Sequence, residues 1–367
     1  MNFLFLHIGL GKTGTSAIQS FLAINRSKLL EDSIYYPFSE KDVAAVDYKP
    51  TGGNGLELAQ MLMNSNLTED VCLSFISQLF RDAEKFSNSL KVCLSAEKLA
   101  NPNVTKKSLS LLKNVCSKLS IEIRVICYLR NVFDHAWATY EQQVKRTGRT
   151  NMFDDFIDSY GYPFDVIGNY SAIFQTNIMF FSYEHVCLVE KNGLIGHFLG
   201  LISSDIFLGP DDLRIVNKSL SPECIDLKRL INLCVDNLEF AKIIGSEMSE
   251  FFRPFTDKMW VREDLYNVIQ QRHYAQLQDV EDHELVRLGR LSMHTDYRWV
   301  IDSILLDQTA FKESVNQVVA DIEHSSLSGV LSRPRFSIVK QSILDLSTTW
   351  KSDVLSGNSL TCIASIY

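Results

Sequence analysis

Eight consecutive residues, Gly9-Leu10-Gly11-Lys12-Thr13-Gly14-Thr15-Ser16, combine small side chains, hydroxyls and one cation in an order suited to binding phosphate. Glycine lets the backbone turn tightly enough for successive amide N–H groups to converge on one anion. The dipole of a following helix adds partial positive charge, and Lys12 adds a full one. Gly11, Lys12, Thr13, Gly14, Thr15 and Ser16 are therefore candidate ligands of an anionic cofactor. The long loop of nucleoside triphosphate enzymes, G-x-x-x-x-G-K-[ST], would end at Gly11-Lys12-Thr13 and require glycine at position 6, which is Leu6 inside an apolar run. Such enzymes also use an acidic residue at a strand end to help hold Mg²⁺. Leu94-Ser95-Ala96-Glu97 offers only Glu97, offset by two residues from its run. A P-loop nucleotide kinase or other ATP or GTP enzyme is thus the second choice.

The elements that must position these residues are legible as periodicity. Apolar runs at Phe3 to Ile8, Lys91 to Ser95, Ile121 to Leu129 and Asn177 to Ser182 have the length of buried strands, and a further strand is expected to end near Tyr35-Tyr36-Pro37. Helical spacing predicts helices over Thr15 to Leu30, Leu109 to Leu119, Phe133 to Lys145 and His185 to Leu199, then Ile225 to Leu238 and Phe311 to Ile322. Strands alternating with helices predict an α/β fold: a P-loop-like three-layer core with a central parallel sheet, followed by a helical C-terminal part. The expected division is a core over 1–235 and a mainly helical extension over 236–367.

Lys12-Thr13-Gly14-Thr15-Ser16, with His7-Ile8-Gly9 before it and Ile18-Gln19 after it, resembles the 5′-phosphosulfate loop of sulfotransferases. These enzymes take their sulfuryl group from 3′-phosphoadenosine 5′-phosphosulfate (PAPS) and release PAP. The form is most similar to that of bacterial sulfotransferases with a K-T-G-T-[ST] loop, a group associated with carbohydrate or surface-polysaccharide acceptors. The resemblance implies PAPS as donor, PAP as product, no required metal, and a saccharide or polysaccharide partner. PAPS is anionic at both ends, which calls for a second basic site. Arg130 supplies one at the end of Ile123 to Leu129, where open α/β sheets bind ligands, and its guanidinium fork suits phosphate. Leu129 to Tyr140 resembles the family's 3′-phosphate motif, in which a serine follows the arginine by eight positions. Here position 138 is alanine, Val132 replaces a frequent proline, and Thr139 is the available hydroxyl. Asn217-Lys218-Ser219-Leu220-Ser221 resembles the N-x-S-L-S segment that closes over the nucleotide, which implies Asn217 and Ser219 as ligands. Ser221-Pro222-Glu223 equally reads as a helix start. Phe181-Ser182-Tyr183-Glu184-His185 matches a strand and helix junction and is expected to be architectural.

Sulfuryl transfer to an alcohol is an in-line displacement in which negative charge grows on the oxygen of the departing nucleotide. Lys12 is assigned to stabilise that charge, and the acceptor hydroxyl needs a general base. Glu97, in a segment resembling an S-S-E motif of related enzymes, is the first choice. His7, Glu40 and His135 are the others, and a lone histidine on a core strand such as His7 equally serves as a packed residue. A chain that keeps the nucleotide site without catalysis, a PAP-binding protein, is a further alternative, raised by Ala138.

Composition bounds the rest. The 367 residues carry 36 Lys and Arg against 44 Asp and Glu, a formal charge of −8 that speaks against general nucleic-acid binding. With 46% apolar and 22% charged residues, a sizeable core is expected. Eight scattered cysteines without a C-x-x-C pair read as core thiols rather than metal ligands or disulfides. The apolar stretch at the start is far shorter than the roughly 20 residues that cross a bilayer, and no basic leader precedes it, so a cytoplasmic protein without a membrane span is expected. Tyr140 to Arg149, with Lys145, Arg146 and Arg149, suits either an acidic glycan or a solvated helix end. Apolar surface left exposed on the C-terminal helices would be the mark of a homodimer.

Overall fold

The computed structural model describes residues 2–40, 42–46, 51–86 and 91–209, together with 225, 228, 229, 232, 271 and 272. The elements in chain order are β1 (Asn2–Ile8), α1 (Thr15–Ile24), α2 (Arg26–Glu31), β2 (Ile34–Tyr35), α3 (Asp42–Val46), α4 (Leu56–Met63), α5 (Glu69–Glu84) and β3 (Lys91–Ala96). A 3-10 turn (Glu97–Ala100) leads to α6 (Lys106–Lys118), β4 (Ile121–Leu129), α7 (Val132–Thr147), α8 (Phe153–Ser159) and α9 (Phe164–Phe174). A second such turn (Gln175–Asn177) precedes β5 (Ile178–Ser182), α10 (Tyr183–Val189) and α11 (Gly193–Leu201).

The five strands form one parallel sheet in the order β2-β3-β1-β4-β5. β1 lies at its centre, and helices cover both faces, which is why its strands are largely apolar, with alternation confined to the start of β4 at Glu122 and Arg124. Phe5 and His7 point with Cys93, Ile126 and Tyr128 toward α1 and α11, where Ile18, Leu22, Phe198 and Leu199 close one core. Alternation leaves Leu4, Leu6 and Ile8 for the opposite face, where α4 and α6 lie against β3 and β4. This is the α/β architecture expected from the alternation of apolar runs and helical segments.

Two expected helices are interrupted. The stretch from Thr15 to Leu30 breaks at Asn25, whose backbone leaves the helical region while its side-chain amide donates to the Phe21 carbonyl. The stretch from His185 to Leu199 is divided between α10 and α11, and Gly193 opens α11 at φ 57°. The expected helix at 311–322 and the extension at 236–367, apart from Gln271 and Arg272, lie outside the described residues.

The chain divides into two compact units. The first contains Met1–His135 and the segment from Gly161, and so holds the sheet. The second contains Ala136–Tyr160 and, from later in the chain, the described residues Ile225, Lys228, Arg229 and Asn232. Its interior joins Trp137, Tyr140, Phe153 and Phe156 in edge and tilted ring contacts. The Asn232 amide donates to the Val144 and Arg149 carbonyls at 2.9 Å each, satisfying backbone acceptors at the end of α7.

Candidate functional site

Strand register brings the candidate residues together. Ile8 stands level with Ala96 of β3 and Cys127 of β4, so Gly9 begins the loop beside Glu97, and Arg130 lies three residues past Cys127. The Gly9 amide donates to the Ala96 carbonyl at 3.2 Å, which ties the root of the loop to β3. Loop and arginine thus share the carboxyl end of one sheet, at the point where the chain passes from one side of β1 to the other.

The loop is held by its own hydroxyls. Thr13 Oγ1 donates to the Leu10 carbonyl at 2.6 Å and Thr15 Oγ1 to the same oxygen at 3.4 Å. Two residues are left-handed, Lys12 at φ 69° and Gly14 at φ 73°. The conformation is free for Gly14, where an added Cβ would come within 2.3 Å of Leu194 Cδ2. For Lys12 it costs about 1–2 kcal/mol. Gly11 differs: among the described residues nothing lies within 4 Å of where its Cβ would be, so the lack of a side chain keeps open space above the loop backbone. α1 then starts with no side-chain cap and no acidic residue in its first turn, leaving amide donors and the positive end of the helix dipole for an external anion. Open space over Gly11 and uncapped donors at α1 fit the phosphosulfate end of a nucleotide.

Arg130 reaches back to the loop. Its Nη1 donates to the Lys12 carbonyl at 2.9 Å, its Nε lies 3.6 Å from Glu184 Oε1, and its guanidinium carbon sits 5.4 Å from the centre of the Tyr183 ring. Its backbone is fixed by Tyr162, whose hydroxyl accepts the Arg130 amide at 3.2 Å and donates to the Arg130 carbonyl at 2.9 Å. Glu184 is buried and also accepts the Asn131 amide at 3.1 Å. Burial first, and Asp134 next among the neighbouring side chains, push its carboxyl up to about 7 against the pull of Arg130.

The candidate bases occupy different surroundings. Glu97 is exposed at the first position of the turn after β3, bordering the root of the loop. His7 is fully enclosed: its Nδ1 lies 2.8 Å from Ser95 Oγ, its ring meets Phe198 and Tyr128 edge to face, and burial pushes its pKa down to about 3. His135 is buried beside the loop, with a hydrogen bond to the Gly11 backbone and an edge contact with Tyr162. Burial, reinforced by the charge of Arg130, pushes it down to about 3. Glu40 is exposed after β2. Thr139 lies on the part of α7 that belongs to the second unit, and Asn217 and Ser219 lie outside the described residues.

Sequence reasoning passed over several residues of this end of the sheet. Asn54 sits in Thr51-Gly52-Gly53-Asn54-Gly55 and completes the edge of β3 beyond the two residues of β2, donating to the Cys93 carbonyl at 3.0 Å and accepting the Ser95 amide at 2.8 Å. Gln19 Nε2 donates to Ser95 Oγ at 3.1 Å. The run of three glycines around Asn54 was the available signal for the first. Glu184 carried none, because an acid in the first turn of a helix reads as ordinary dipole compensation.

Among the described residues, no group of three or more His, Cys, Asp or Glu is placed to hold a metal ion, and no helix is long and apolar enough to cross a membrane. No family model matches the chain, and no curated protein matches it. Among solved structures, a sulfotransferase from Alicyclobacillus acidocaldarius is similar to it, at 15% identity and a TM-score of 0.30, over 65% of this chain and 95% of that one.

Proposed function

We propose that this chain is a PAPS-dependent sulfotransferase that places a sulfuryl group on a hydroxyl, with a saccharide or polysaccharide as acceptor. The observation that carries the reading is the left-handed Lys12 in a glycine loop, pinned by Arg130 at the carboxyl end of the sheet. PAPS, when bound, supplies the activated sulfuryl group. The loop amides and the start of α1 bind its 5′ end, with Gly11, Thr13, Gly14, Thr15 and Ser16 forming the cradle. Lys12 supplies positive charge where negative charge grows on the departing phosphate oxygen. Arg130 offers a guanidinium to the 3′ phosphate of the nucleotide, and the resemblance adds Thr139, Asn217 and Ser219 as further nucleotide ligands. Glu97, solvent-facing beside the loop, takes the proton of the acceptor hydroxyl. His7 is enclosed by Phe198, Tyr128 and Ser95, so its part is to support the strand under the loop. The division into a core over 1–235 and an extension over 236–367, a cytoplasmic setting and a homodimer belong to the same reading.

Isothermal titration with PAP tests it. The full chain should bind PAP without metal, and Lys12→Ala and Arg130→Ala should each weaken binding by tenfold or more, about 1.4 kcal/mol. Binding of ATP with Mg²⁺ but not of PAP would replace the reading with a nucleotide kinase. PAP binding without sulfate transfer to any of a broad saccharide panel would leave a PAP-binding protein.

A further inference from the structure

Arg130 is engaged on three sides: by the Lys12 carbonyl, by the face of Tyr183 and by Glu184. Glu184 itself is 4% exposed, and its Oε2 is buried with no hydrogen-bond partner on another of the described residues. An ionised carboxylate in such a place is costly unless an opposite charge faces it. Among the described residues the charged groups facing it are Arg130, from the end of β4, and Asp134, from α7, with Tyr183 and Cys187 beside it on α10. Among the described residues Arg130 is the cation that faces Glu184, and it is the same cation that an anionic ligand of the loop would meet.

We propose that Glu184 is the resident counter-charge of Arg130, a positioning residue that holds the guanidinium against the loop in the free protein and binds a proton when an anionic ligand engages that guanidinium. The inference rests on the nucleotide site proposed above. One proton passes from solvent to the carboxylate as the negative charge of the ligand arrives, and no bond of the ligand changes. The carboxyl is already poised at about 7 by burial and by Asp134. A further anion beside the same arginine raises it again, so anion binding and protonation assist each other. The same linkage requires anion affinity to fall as pH rises through 7 and above, by at most tenfold per pH unit for one proton.

Titration calorimetry of PAP into the full chain between pH 7.5 and 8.5, in two buffers of different ionisation enthalpy, tests this. PAP is already fully ionised in that range. The wild type should take up a substantial fraction of one proton on binding and lose affinity several-fold across the interval, whereas Glu184→Gln should show neither effect. Equal proton counts and equal pH slopes in the two proteins would overturn the proposal. Carboxyl ¹³C NMR of the wild type decides it without any variant: one glutamate should titrate near pH 7 and move upward with PAP, and the lack of such a glutamate overturns the proposal. If the wild type does not bind PAP, the sulfotransferase reading fails by itself. Inorganic pyrophosphate then replaces PAP in the same titration; because it carries a proton of its own in this range, the difference in proton count between wild type and Glu184→Gln is read, and either absence of binding or equal counts in the two proteins counts against Glu184.

Discussion

Lys12 concentrates two opposed demands in one residue. Its charge is wanted above the loop, while its left-handed backbone is a conformation that glycine would adopt without strain. Replacing it therefore separates stability from binding. Lys12→Gly should be more stable than Lys12→Ala by about 1 kcal/mol in denaturant unfolding, since both lose the same charge and only alanine keeps the strained Cβ. Both variants should lose PAP affinity to a similar degree. An alanine variant as stable as the glycine variant would show that the strain is relieved elsewhere. Arg130 explains how the wild type tolerates the conformation, because a charge-assisted hydrogen bond to the Lys12 carbonyl rewards the orientation that the left-handed backbone creates.

At the scale of elements, the site depends on the edge of β3. β2 pairs with only Lys91 and Val92, and from Cys93 onward the segment around Asn54 takes its place, delivering one acceptor and one donor to the strand. The Gly55 amide adds a hydrogen bond to the Ser95 carbonyl at 3.1 Å. Gly53 makes the approach possible at φ 75°; a Cβ there would come within 2.0 Å of the Ser95 carbonyl oxygen and 2.4 Å of Gln19 Nε2. Gly53→Ala should consequently destabilise the fold by about 2–4 kcal/mol, because both the backbone and the space oppose it. Asn54→Ala should cost about 1–3 kcal/mol by stranding two partly buried backbone groups. Urea unfolding measures both, and amide hydrogen exchange should localise the Asn54 effect to the end of β3. Uniform loosening across the sheet would contradict that localisation. Glu97 follows directly on this strand end, so the same variants should lower sulfate transfer more than they lower PAP affinity.

For the whole molecule, buried titratable groups set how stability responds to pH. His7 and His135 are held neutral, with folded-state values near 3 against 6.5 when unfolded. Their contribution is complete above 6.5 and is lost as pH falls toward 3. Glu184 acts in the other direction, its contribution being complete below about 4.5 and lost as pH rises through about 7. Between pH 4.5 and 6.5 the two large histidine shifts outweigh that of Glu184, while burial lowers His197 and raises Asp42 with opposite effects, so the melting temperature should rise with pH over that interval, and His7→Gln should flatten the rise. Melting temperatures that are equal at pH 5 and pH 6.5 would refute this account. The core itself was readable because strands covered on both faces are largely apolar: Phe3 to Leu6, Val92 to Leu94, Val125 to Leu129 and Ile178 to Phe181 are unbroken apolar stretches, while the start of β4 alternates through Glu122 and Arg124. The break at Asn25 was not, since the apolar spacing continues across it while one side-chain amide diverts the backbone. Local order along the chain determined by itself the glycine loop after a strand, the arginine after another, and the parallel α/β plan, because each is encoded in neighbouring residues. Only tertiary structure decided that Arg130 meets the Lys12 carbonyl 118 positions away, that Asn131 meets Glu184 across 53, and that His7 is sealed beneath the loop. Such partners are fixed by strand order and register, which no short-range spacing in the sequence contains.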